Sequence, residues 1–248
     1  GWCVRGGFDP ACWLGAVDCG APSLALAGWA GVTPGLRAAI IAIATADIKR
    51  ILAYSTVSQL GLMMVSLGVG GVAAGITHLL AHGFFKALLF LGSGSVIHGC
   101  HGEQDIRKMG GLRRLMPVTF LTYAIGMMTL SGVPLFFSGA WTKEEILHAT
   151  AHWPRSQIPH YLMMAGVVLT ALYMTRQMIY VFFGNRRQAS KSAHESPSVM
   201  AVSLILLAVC PTVLVVVPTP AWPLLPDHLI AARAPSDIPR SIQPLLLL

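Results

Sequence analysis

Long apolar runs separated by short polar breaks dominate the chain. Residues 51–69, 72–99, 115–133, 160–184 and 198–217 are each long enough, or nearly so, to cross roughly 30 Å of hydrocarbon at 1.5 Å per residue. A further crossing ends near Ala46, where LRAAIIAIATA runs into the charged DIKR. Lone strands cannot satisfy their backbone in lipid, so about six apolar segments predict an all-α, polytopic transmembrane helix bundle.

One segment breaks the pattern. In SGVPLFFSGAWTKEEIL, residues 131–147, Gly132, Pro134 and Gly139 interrupt an apolar run, and Thr142 followed by Glu145 has the spacing of a capping box. The expected element is a broken helix that stops near Ser131, unwinds and restarts at about Lys143. Irregular backbone at membrane depth is tolerated where it is buried in protein or lines a hydrated cavity, and broken helices mark ion sites in transporters.

The ends differ from the middle. Residues 1–35 lack an initiating Met, the order of a signal peptide and a clean helical period, which marks them as an atypical segment of a chain whose native start lies upstream. Residues 218–248 form a Pro-rich tail. The membrane-spanning part is placed at 36–217. Between spans, HGCHGEQDIRKMGGLRRLMP (98–117) reads as a polar linker with a short amphipathic turn, and NRRQASKSAHESPS (185–198) as a plain solvated loop. No internal repeat stands out.

Composition agrees with the pattern. Charged residues make up 11% of the chain against about 25% in soluble domains, and the mean hydropathy is +0.66. The net charge of +7 could suggest nucleic acid, but its distribution does not. Basic residues gather at Lys49 and Arg50, at Arg107, Lys108, Arg113 and Arg114, and at Arg186, Arg187 and Lys191. Threading the spans in order puts all three groups on one side, which the positive-inside rule makes cytoplasmic; the opposite loop, near 152–159, holds only Arg155. Lipid contact is expected and nucleic acid is not. Cys3, Cys12 and Cys19 match no zinc spacing, and Cys100 and Cys210 lie at or in apolar helices, so all five cysteines read as structural.

The chemistry lies where titratable groups interrupt the apolar runs. In GITHLLAHGFFKALLFLGSGS (75–95), His78, His82 and Lys86 fall within an arc of about 80° on one helix face. Lys86 cannot snorkel easily, because an apolar stretch follows it before the helix ends. Two histidines four apart suit zinc or haem, but the Glu of a metalloprotease helix is replaced by Leu79, and no cysteine or carboxylate in this helix offers a third ligand. A proton relay fits better, since intramembrane lysine and histidine are functional candidates by default. Gly83, Ser93 and Gly94 allow close packing or a hydrated path. Lys143, in the first turn of the restarted helix, would face an unfavourable dipole that Glu144 and Glu145 partly offset; an ordinary interfacial Lys–Glu pair is the alternative. Arg176 does not titrate usefully, so a fixed field or a structural bond is its expected role.

Three of these stretches, ADIKRILAYSTVSQLGLMM, HLLAHGFFKALLFLGSGSVIHGCHGEQDIRKMGGL and SGVPLFFSGAWTKEEIL, resemble the L-chain (mitochondrial chain 5) family of antiporter-like membrane subunits of the proton-pumping NADH:quinone oxidoreductase, complex I. The likeness covers about residues 37–217 and is most specific in HGEQDIRKMGGL. By that resemblance His78, His82 and Lys86 match the central hydrophilic axis. Lys143 matches the lysine of the broken helix near the exit, with Glu144 the adjoining acid, and Asp47 and Lys49 match a polar pair at a helix start. The resemblance implies a multi-pass subunit of the bacterial cytoplasmic membrane, partnered by other membrane subunits of complex I. It implies no cofactor in this chain, with NADH, flavin, iron–sulfur clusters and quinone in partner subunits. Related chains of multisubunit cation/proton antiporters and membrane-bound hydrogenases share the two-histidine, one-lysine helix and are the alternative. A b-type cytochrome anchor and a purely structural fragment are further alternatives. The family's first half carries a second broken helix with a lysine and a partner glutamate, which this chain lacks. Residues 218–248 resemble neither the family's lateral helix nor its final span. A chain like this is not expected to pump alone.

Overall fold

The computed structural model describes residues 21–133, 137–153, 156–190 and 193–213. The atypical residues 1–20, Pro134, Arg155, Lys191 and the tail from 214 lie outside them. Seven α-helices follow in order: α1 (Ala21–Ala44), α2 (Ile48–Gly68), α3 (Val72–Gly99), α4 (Pro117–Ser131), α5 (Ser138–Ala151), α6 (Ile158–Phe182) and α7 (Ser198–Val213). Four are long and apolar enough to cross a membrane: α1 from Leu26 onward, α2, α3 and α6. Helix α1 extends across the boundary placed at residue 35, so its first half belongs to the stretch set apart as atypical.

The bundle exposes apolar side chains on its outside, as a lipid-facing protein should, and buries polar ones within an apolar core. Tyr161, Val168, Leu172 and Ile179 stand exposed along α6, while Ser55, Gln59, His78, Thr142 and Lys143 are buried. Helix α3 is central and packs against α2, α4, α5 and α7. Close helix approach is set by glycine. A Cβ on Gly61 would sit 2.6 Å from the Gly31 carbonyl oxygen and 2.8 Å from Gly35 Cα, so α1 and α2 meet backbone to backbone. Gly83 and Gly94, which could serve close packing or a hydrated path, have open space where a Cβ would go, and Ser93 donates to Phe90 O of its own helix.

Asp47 caps α2 by accepting from Lys49 N and Arg50 N at 2.9 and 3.0 Å. The turn before it pairs with the 100–116 linker: Ile48 N donates to Gln104 O at 3.0 Å and Ile106 N to Ala46 O at 2.9 Å. In that linker two 3-10 turns, Ile106–Lys108 and Leu112–Arg114, bury Ile106, Met109 and Leu112. The Arg107 guanidinium beside Asp105 holds its carboxyl down at about 2, so this pair stays charged at the surface. Arg187 Nη1 donates to Arg107 O at 2.6 Å. These bonds bring the three basic groups together at one end of the bundle, as threading the spans requires.

The 185–198 stretch is not a plain solvated loop. Glu195 Oε2 accepts from Val118 N at 3.0 Å, and Oε1 from the Thr119 hydroxyl at 2.6 Å, which caps the start of α4. Ser196 Oγ lies 2.6 Å from Ser95 Oγ, which lies 2.7 Å from Thr119 Oγ1. Met116, in the N-cap position, offers no side-chain acceptor, so a carboxylate distant in sequence takes over the capping role. Replacing Glu195 by Ala is expected to destabilise the bundle by about 1 kcal/mol, the usual loss for a cap. Thermal melting of the protein checks this; an unchanged midpoint would show that water replaces the carboxylate at no cost.

Candidate functional site

The three titratable groups of α3 lie on one buried face: His78 is 0% exposed, and His82 and Lys86 are each 6% exposed. Facing them is one side of the antiparallel helix α2. Lys86 Nζ donates to Leu52 O at 3.1 Å and to Ser55 Oγ. One turn further along α2, Gln59 Oε1 lies 3.1 Å from His78 Nε2. His82 lies between them, its ring edge-on to Phe85 with centroids 5.2 Å apart and 6.3 Å from the His78 ring. Its Nε2 is buried with no partner among the described residues.

The path continues onto the broken helix. His78 Nδ1 lies 2.7 Å from Thr142 Oγ1 of α5, and the next residue, Lys143, is 3% exposed with Nζ donating to Leu130 O of α4. Helix α4 ends on Gly132 in the left-handed region (φ 78°), with Gly132 N reaching Met128 O and Thr129 O. Helix α5 restarts at Ser138, five residues before the expected point. Thr142 is therefore not an N-cap: it sits one turn inside, with its hydroxyl 3.0 Å from Ser138 O. The early restart has a packing cause, because a Cβ on Gly139 would run into Thr129 O, so only glycine lets the two half-helices touch there.

The restart also reverses the dipole expected at Lys143. Lys143 lies in the second turn of α5, and its ammonium faces the C-terminal carbonyls of α4, the end of a helix that attracts a cation. Glu144 points elsewhere. Neighbouring helix positions diverge by about 100°, so with Lys143 turned inward Glu144 is exposed. Among the described residues, ion pairs occur only at Asp47–Arg50, Asp105–Arg107 and Glu103–Lys108. The expected Lys143–Glu144 support is absent.

His78, His82, Lys86 and Lys143 are thus all buried, and Thr142 joins the α3 face to the turn of α5 that carries Lys143. Asp47, Lys49 and Arg176 lie at the basic end instead. Lys49 is exposed, and Arg176 donates to Thr45 O at 2.8 Å with its guanidinium 5.4 Å from the Tyr180 ring centre, a structural bond. Sequence reasoning missed Ser55 and Gln59 and took Thr142 only for a cap; these are the uncharged partners that hold the titratable groups, with Thr170 behind Gln59. The only hint was the four-residue spacing of Ser55 and Gln59 in YSTVSQLGL. Both His78 nitrogens are taken up by Thr142 and Gln59.

A lipid-facing bundle with a broken helix, two buried lysines and no carboxylate paired to either among the described residues defines an antiporter-like membrane domain. The family described as NADH:quinone oxidoreductase/Mrp antiporter, transmembrane, matches residues 24–173. The chain belongs to that family. Subunit L of NADH-quinone oxidoreductase from Mycobacterium tuberculosis is 47% identical over 184 residues, 72% of this chain and 29% of that protein. Subunit L from Neisseria meningitidis serogroup B is 40% identical over 206 residues, 75% of this chain and 30% of that one. A solved structure of the membrane-bound sulfane sulfur reductase, an archaeal respiratory membrane complex, aligns with a TM-score of 0.74 at 26% identity, over 79% of this chain and 33% of the other. The chain spans about three tenths of the length of the curated relatives it matches.

Proposed function

We propose that this chain is the proton-conducting part of an antiporter-like membrane subunit in a respiratory NADH:quinone oxidoreductase of a bacterial cytoplasmic membrane. The observation that carries the reading is the burial of Lys86, His82, His78 and Lys143, with Lys86, His78 and Lys143 held by hydroxyls, an amide and backbone carbonyls. An ammonium has three donors, and Lys86 has two acceptors among the described residues, so one proton position stays open to exchange. His82, with a nitrogen lacking a partner among the described residues, is the member of the α3 face left open to exchange. Lys143 is the last station, at the gap between the half-helices. Glu144 adds only the field of an exposed carboxylate beside it.

The relatives named above are subunits of an enzyme complex. In this reading the redox steps, with NADH, flavin, iron–sulfur clusters and quinone, belong to partner subunits, and the membrane subunits beside this one pass on the coupling. The family also includes Mrp antiporters, so a cation/proton antiporter or hydrogenase subunit is the second reading. NADH-driven acidification of sealed vesicles holding the complete enzyme, followed with a pH-sensitive dye with and without sodium, separates them. A sodium-independent signal is expected. A signal that requires sodium, or none under NADH, favours the antiporter.

A further inference from the structure

The hydrogen bonds around His78 fix which nitrogen changes its proton. The Thr170 hydroxyl donates to Gly166 O at 2.8 Å, so its oxygen faces Gln59 as an acceptor. The Gln59 amide nitrogen donates to that oxygen at 3.4 Å, which leaves the Gln59 carbonyl oxygen to accept from His78 Nε2. Two acceptors cannot face each other, so Nε2 keeps its hydrogen whether the ring is neutral or charged. Only Nδ1 changes.

Nδ1 meets Thr142 Oγ1 at 2.7 Å, and the same hydroxyl lies 3.0 Å from Ser138 O. One hydroxyl hydrogen therefore serves two acceptors. With His78 neutral, the hydroxyl donates to Nδ1. When Nδ1 carries a proton, the hydroxyl swings to donate to Ser138 O instead. The new Nδ1–H then donates to the hydroxyl oxygen. Nδ1 has a partner in both states with no heavy atom displaced, and the hydroxyl bond to Ser138 O is made only in the charged one.

We propose that Thr142 is a positioning residue whose rotating hydroxyl lets His78 gain and lose a proton, tying α3 to the half-helix that carries Lys143. This rests on the proton-relay reading above. Removing the hydroxyl orphans Nδ1 in either state, and a buried polar atom without a partner is costly.

The test uses the complete enzyme in sealed vesicles, with acidification measured per NADH oxidised. Thr142→Val keeps the shape and Thr142→Ser keeps the hydroxyl; Thr142→Ala and Lys143→Met complete the set. Val and Ala are expected to lose as much acidification as Lys143→Met, and Ser to lose none. Wild-type acidification with Val, or a loss with Ser equal to that with Val, overturns the hydroxyl's role. Wild-type acidification with Lys143→Met overturns the relay reading and this proposal with it. Loss with Lys143→Met but not with Val overturns only the hydroxyl. Infrared difference spectra of wild type against His78→Ala give an answer even if Thr142→Val fails to assemble. A neutral ring protonated at Nε2 is expected, and one protonated at Nδ1 overturns the proposal.

Discussion

Lys86→Ala in the complete enzyme is expected to stop proton movement through this subunit while NADH oxidation in uncoupled vesicles continues. The side chain is 6% exposed in the middle of α3 and donates to Leu52 O and Ser55 Oγ. Neither acceptor is stranded by its loss, because the Ser55 hydroxyl itself donates to Leu52 O at 2.9 Å. The fold should therefore survive the truncation, and Lys86→Met, which preserves volume, controls for the space left behind. What both variants lose is the proton donor and acceptor opposite α2. A positioned acid–base group typically contributes about a hundredfold or more to a proton-transfer step, so transfer at this point should fall by at least that factor. A dye measurement in vesicles, with assembly checked on a native gel, decides it. Wild-type acidification in the Met variant would remove Lys86 from the path.

The reach of sequence reasoning here follows from the kind of signal each feature leaves. Helical period and span length are repeated over many residues, so the bundle and the shared face of His78, His82 and Lys86 were legible. The break was legible too, from Gly132 and Gly139, but its restart was not. Thr142 and Glu145 have the spacing of a cap, whereas Ser138 begins the helix because Gly139 must pack on Thr129 O. A local signal lost to a tertiary contact. The uncharged partners left almost no trace, since Ser55, Gln59, Thr142 and Thr170 look like ordinary polar residues until α2, α3, α5 and α6 are brought together. Glu195 was read as solvated because nothing local says that a carboxylate in a polar loop caps a helix 77 positions away. Glu144 went the other way: adjacency in sequence suggested a partner for Lys143, and helix geometry turned the two apart.

Lys143 combines two roles that substitution can separate. Its ammonium donates to Leu130 O, one of the last carbonyls of α4, where the chain leaves the helix and the dipole attracts positive charge. A cation at a helix C-terminus stabilises it by about 0.3–1 kcal/mol, more when partly buried. Lys143→Met removes both this bond and the transferable proton. Lys143→Arg keeps a positive donor facing α4, but a guanidinium does not give up its proton. The Met variant is expected to lose proton movement and to melt earlier, by an amount corresponding to about 1 kcal/mol. The Arg variant should lose proton movement equally while melting close to wild type. Differential scanning of the assembled enzyme, alongside dye acidification, measures the two effects separately. If Arg restores acidification, Lys143 acts as a fixed charge and the terminal proton station lies elsewhere. If Met melts like wild type, the bond to Leu130 O adds nothing to the fold.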